Sequence, residues 1–102
     1  MSISGNDNTA EKQERASAEL VVSNKLGLHA RPAAMFVKVS NQHKADIWVE
    51  KDGEEVNGKS IMGLMMLAAG QGSRLTVSAE GEDASEAVEA LRKLLEGQFN
   101  ED

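Results

Sequence analysis

The stretch best equipped for chemistry is Gly27-Leu-His-Ala-Arg-Pro-Ala33. His29 lies just before a predicted helix whose first turn contains Pro32. Unpaired N–H groups and the positive end of the helix dipole make such a point a ready anion site. Arg31, two residues on, adds a guanidinium fork for the same anion. Imidazole is a nucleophile when neutral, and with an ordinary pKa of about 6.5 it is largely neutral near pH 7. The arrangement suits a histidine that takes up a phosphoryl group, with N–H donors and Arg31 holding the three oxygens. Gly27 lets the backbone turn sharply or approach closely. A capping or surface histidine is the commoner role for such a residue. No carboxylate stands beside His29 as a base, and no serine nucleophile or metal constellation is near. The residues by themselves leave both readings open.

Ser60 and the methionines after it are the second point of interest. Ser60 heads a predicted helix and is a good N-cap, a role worth about 1 kcal/mol. It is also a favourable phosphorylation point, since a charge of about -1.5 to -2 would meet the positive helix end. Leu64 and Leu67 should face the sheet, with Met62 and Met65 on an adjoining face. Such a stripe is usually core, yet methionine also adapts to several partners in turn. Phe36 and Val37 read as core. His43 reads as a solvated loop residue.

These residues need a scaffold. Residues 1–18 are polar and read as a flexible extension ahead of a domain at 19–102. Glu19–Lys25 alternates as a strand, and Asn24–Gly27 turns the chain. Ala30–Asn41 reads as a helix with Pro32 tolerated in its first turn. Ala45–Lys51 alternates again, with Ile47 and Val49 inward and Trp48 on the opposite face. Asp52-Gly53 signals a hairpin returning through Glu54–Asn57. A shorter helix, Ile61–Ala69, should end at Gly70 and Gly72, ahead of a strand at Arg74–Ala79. Asp83 and Glu86 form an Asp/Glu capping box before an apolar stripe at Ala87, Val88, Leu91, Leu94 and Leu95, with Gly97 as the stop. The predicted order is β-α-β-β-α-β-α. Only one face of each strand is apolar, which makes this an α+β open-faced sandwich. A four-stranded antiparallel sheet carries three helices on one face.

The chain has 102 residues, enough for one compact domain and too few for a doubly wound nucleotide-binding enzyme. With no cysteine, disulfide frameworks, thiol redox chemistry and Cys-based zinc sites are excluded, and nothing beside the two histidines, fourteen residues apart, looks like a metal ligand set. The N-terminus lacks the pattern of a signal peptide, and no apolar run is long enough to span a bilayer. The sequence therefore reads as soluble, cytoplasmic and without membrane insertion. The formal net charge of -6 arises at the end of the chain, where residues 79–102 hold eight acids and two bases. Acidity and 3% aromatic residues argue against nucleic-acid binding. Residues 19–78 are mildly positive, with seven bases to six acids, so a small anion is at home there.

Gly27-Leu-His-Ala-Arg-Pro-Ala-Ala34, followed by Val56-Asn-Gly-Lys-Ser-Ile-Met-Gly-Leu64, resembles the HPr family, the histidine-containing phosphocarrier proteins of the phosphoenolpyruvate-dependent phosphotransferase system. The resemblance runs from about Glu19 to Phe99. It implies that His29 is phosphorylated on Nδ1 by phospho-enzyme I and passes the group to a IIA protein or domain. Arg31 is then the residue that stabilises the phosphoryl group. Ser60 matches a serine phosphorylated by an ATP-dependent HPr serine kinase/phosphatase. Ile61, Met62 and Met65 match the apolar patch that docks partners. No cofactor, metal or nucleotide is required, and the chain is expected to act as a monomer.

Two features depart from the simplest family pattern. The N-terminal extension has no assigned role. Asn24–Gly27 and the acidic ending Phe99–Asp102 resemble the nitrogen-related branch, whereas the Ser60 motif resembles members under serine-kinase control. Sugar and nitrogen-related pathways both stay open. So does a different class of function, a signalling adaptor whose form phosphorylated at Ser60 or His29 regulates a transcription factor or enzyme. A small α+β binding module with a fortuitous motif is the third reading.

Overall fold

The computed structural model describes residues 14–100, so most of the expected extension lies outside the described residues. Four strands, β1 (Glu14–Val21), β2 (Asp46–Lys51), β3 (Glu54–Asn57) and β4 (Arg74–Gly81), form one antiparallel sheet in the order β1-β4-β2-β3. Three helices, α1 (Ala30–Ser40), α2 (Ile61–Met66) and α3 (Ala84–Glu96), leave the other face open, as the alternation of apolar residues predicted. Among the described residues no helix is long and apolar enough to cross a membrane.

The core is built where the two periodicities meet. Leu20, Ile47, Val49, Leu75 and Val77 point from the sheet toward Phe36, Leu64, Leu91 and Leu95 of the helices, and all are buried. At the β2–β3 turn, Asp52 and Gly53 have φ of 53° and 86°. Positive φ at both central residues is the type I′ geometry that suits the twist of a hairpin. Trp48 lies half-buried on the open face, between Ser78 on β4 and Asn57 on β3. A depression beside it is lined by Arg15, Ser17, Ser78 and Glu80.

Several boundaries differ from the sequence reading. Strand β1 begins at Glu14 and ends at Val21, where the alternation placed it at Glu19–Lys25. Residues 14–18 therefore belong to the sheet. Ala16, Ser17 and Ala18 carry little hydrophobic signal, but all eight residues of β1 find partners on β4, from Glu14 opposite Gly81 to Val21 opposite Arg74. Helix α2 stops at Met66 and not at Ala69, because Ala68 takes a positive φ of 52°. The reversal is made by an alanine, ahead of the two glycines expected to end the helix. His43 is no simple solvated residue. It is half-buried, and its Nδ1 lies 3.1 Å from the Val39 carbonyl oxygen. Phe99, taken with the acidic ending, is fully buried in a single 3₁₀ turn, Gln98–Asn100.

The expected capping box is also absent, for an instructive reason. Asp83 is the N-cap of α3, but its side chain does not cap the helix. Its carboxylate instead accepts the backbone N–H groups of Lys44 and Ala45, both at 2.9 Å. The β4–α3 connection is thereby tied to the chain entering β2. The Lys44 N–H, with that of Ala45 and the charge of His43 in support, holds the Asp83 carboxyl below its ordinary value of 3.8. A depressed folded-state pKa means that the stabilisation is complete above the unfolded value. It is lost as pH falls through the folded one. Asp83→Ala should lower stability by about 1–2 kcal/mol at pH 7, since it strands the N–H of the buried Ala45. Urea denaturation at pH 7 and pH 3 checks this. The gap between wild type and variant should narrow at the lower pH, and a gap that widens would contradict the assignment.

Candidate functional site

His29 is the N-cap of α1, with extended backbone (φ -81°, ψ -169°) and a side chain that makes no capping bond to the helix. Its carbonyl oxygen accepts the first helical bond, from the Ala33 N–H at 3.0 Å, and its own N–H donates back to Gly27 O at 3.0 Å. Of the remaining first-turn positions, Pro32 has no N–H at all. The N–H groups of Ala30 and Arg31 have no carbonyl one turn earlier to receive them. Two amide donors therefore open beside the half-buried His29, on the turn that carries the exposed Arg31.

The loop before His29 is set by contact with the far end of α2. The Leu28 N–H donates to Ala69 O at 2.9 Å. Gly27 has φ +71°, and a Cβ there would stand 2.4 Å from the same Ala69 oxygen. Only glycine fits that approach. A shallow depression lined by Leu26, Leu28, His29, Ala68, Ala69 and Gly70 results. The short helix that precedes residues 68–70 carries the exposed apolar residues.

On α2 the side chains divide as the spacing predicted. Leu64, with Leu67 just past the helix, is buried, whereas Ile61, Met62 and Met65 are exposed at 41%, 74% and 42%. Met66 at 68% and Leu26 at 74% are exposed as well. Sequence reasoning missed both, reading Leu26 as part of a turn. Its signal was a large aliphatic residue in a turn between Lys25 and Gly27.

At the other end of α2, Ser60 is the N-cap, and its Oγ accepts the Gly63 N–H at 3.0 Å. The neighbouring Lys59 sends its ammonium to the His43 carbonyl oxygen at 2.9 Å, linking the start of α2 to the connection between α1 and β2. His29 and Ser60 thus stand at separate points, each the N-cap of a different helix. Among the described residues no group of three or more His, Cys, Asp or Glu is placed to hold a metal ion.

A family model described as the PTS HPr component phosphorylation site matches residues 16–97, most of the chain. The chain belongs to the HPr family. Among curated HPr family members, the phosphocarrier protein HPr of Neisseria meningitidis serogroup A is 47% identical over 87 residues, which covers 85% of this chain and 96% of that protein. The HPr-like protein Crh of Halalkalibacterium halodurans is 53% identical over 78 residues, covering 76% and 93%. A crystal structure of HPr from Thermoanaerobacter tengcongensis superposes with a TM-score of 0.83 at 48% identity, covering 85% of this chain and 98% of the other. Bacillus subtilis Crh, a catabolite-repression protein described as a domain-swapped dimer, has a TM-score of 0.67 at 50% identity and covers 72% and 85%. The open-faced fold is therefore that of HPr, and membership supports a phosphocarrier role in the phosphotransferase system.

Proposed function

We propose that this chain is a phosphoryl carrier whose acceptor is His29. The observation that carries the reading is the position of His29 at the start of α1, beside the N–H groups of Ala30 and Arg31, in a chain of the HPr family. The donor is phospho-enzyme I, charged from phosphoenolpyruvate, and the acceptors are IIA proteins or domains. In the transfer, Nδ1 of the neutral imidazole attacks phosphorus. The bond from phosphorus to the donor breaks and its electron pair returns to the donor. The two amides and the Arg31 guanidinium stabilise the oxygens during the exchange, and the same groups release them when the acceptor attacks. Donor and acceptor dock in turn on Ile61, Met62 and Met65, with Leu26 and Met66 extending that surface. The chain acts as a monomer. Ser60 is a regulatory phosphorylation point: a phosphate there would set negative charge at the edge of the apolar surface and disfavour acidic partners.

Similarity to Crh, whose name refers to catabolite repression, favours a second reading in which a phosphorylated form regulates a transcription factor or enzyme. The two readings separate on acceptance. Intact mass should show one phosphate per chain after incubation with enzyme I and phosphoenolpyruvate, removed by brief acid treatment, and a IIA protein should then discharge it. An active control carrier charged under conditions in which this chain stays uncharged would leave the adaptor as the better account.

A further inference from the structure

The loop ahead of His29 holds a buried polar side chain that the reading above does not use. Asn24 is fully buried, and its side-chain Nδ2 donates to Gly27 O at 2.8 Å. Its own carbonyl oxygen accepts the Gly27 N–H at 3.2 Å, closing the turn from both sides. The Gly27 oxygen is the one that also receives the His29 N–H, at 3.0 Å. One carbonyl thus joins the Asn24 amide to the backbone of His29. The opposite side of the loop is fixed by the Leu28 N–H on Ala69 O.

We infer that Asn24 is a positioning residue for phosphoryl transfer at His29. Held by the Asn24 amide, the Gly27 carbonyl points inward and keeps the His29 N–H directed away from the phosphoryl group. Ala30 and Arg31 are then the two amides presented to it, and the extended backbone of His29 keeps the imidazole over them. Without the Asn24 amide, the Gly27 carbonyl has one fewer donor to fix its direction, and the His29 N–H bonded to it is held less firmly. Small errors of geometry at a reacting atom have large effects on rate, so the consequence belongs to the chemical step and not to docking. Asn24 touches no phosphoryl oxygen; it acts through the Gly27 carbonyl. This inference rests on His29 being the acceptor.

The test measures phosphoryl uptake from phospho-enzyme I by wild type, Asn24→Ala and Asn24→Asp, with folding checked by circular dichroism. Asn24→Asp keeps the volume but loses the donor, so it carries the test if the alanine variant fails to fold. The expected result is a roughly tenfold or greater loss in kcat with little change in KM for the donor, because the α2 surface is untouched. Unchanged kinetics in a folded variant, or a loss confined to KM, would overturn the inference. An independent check needs no variant. On phosphorylation of wild type, the backbone amide resonances of Ala30 and Arg31 should shift strongly, while the Asn24 side-chain amide and the His29 backbone amide stay near their places. Large shifts at Asn24 would mean that the clamp opens, against the inference. Failure of the underlying reading looks different, since phosphate would then be found on a residue other than His29 in wild type itself.

Discussion

Replacing His29 by alanine should reduce phosphoryl uptake from phospho-enzyme I to background while leaving the domain folded. The loss is complete because a covalent acceptor has no substitute on this surface. Arg31 is a permanent cation, the amides of Ala30 and Arg31 are donors, and neither can bond to phosphorus as a nucleophile. The fold should barely respond. The His29 side chain makes no capping bond to α1, and the helical bond it does supply comes from its backbone carbonyl, which alanine keeps. With the backbone cap kept and no side-chain cap to lose, the change should stay within about 1 kcal/mol. Intact mass before and after brief acid treatment reads the first effect and urea denaturation the second. Acid-labile phosphate retained by the variant would remove His29 from the mechanism. Loss of both uptake and folding would instead mean that the histidine is structural.

What the sequence allowed to be read follows from how local each feature is. The type and position of His29, Arg31 and Pro32 need only a few neighbouring residues, and so did the placement of the histidine at a helix start. The division of α2 into buried Leu64 and exposed Met62 needed only helical geometry. The groups that set the loop were not legible in the same way. The oxygen against Leu28 and Gly27 belongs to the backbone of Ala69, and a carbonyl carries no residue-specific signal. Asn24 looked like an ordinary turn residue, because burial of its amide depends on residues distant in the chain. Asp83 was read as a cap on sequence spacing, but a connection thirty-eight residues away took its carboxylate. The early start of β1 was hidden for a related reason, since small residues there rely on pairing with β4 and not on apolar alternation.

Gly27→Ala should show the opposite signature to His29→Ala. Two separate effects act at Gly27. Its φ of +71° is in the left-handed region, where an L-residue is disfavoured by about 1–2 kcal/mol. The added Cβ would also stand 2.4 Å from Ala69 O and 2.8 Å from the Gly70 Cα, both backbone atoms with little freedom to yield. Relief requires the loop to lift from the end of α2, which breaks the bond from the Leu28 N–H to Ala69 O and removes about another 1 kcal/mol. Together the loss should reach about 2–3 kcal/mol, or a fall of at least about 8 °C in the melting temperature of a domain this size. Uptake should slow but remain on His29, because the nucleophile is displaced and not removed. Gly53→Ala is the control. Gly53 also has positive φ, +86°, but nothing lies within 4 Å of an added Cβ. That variant should lose only the conformational part, about 1–2 kcal/mol, and keep full uptake. Melting curves and uptake rates for the pair separate strain from collision. If the two lose equal stability and neither slows uptake, the contact between Gly27 and Ala69 does not position His29.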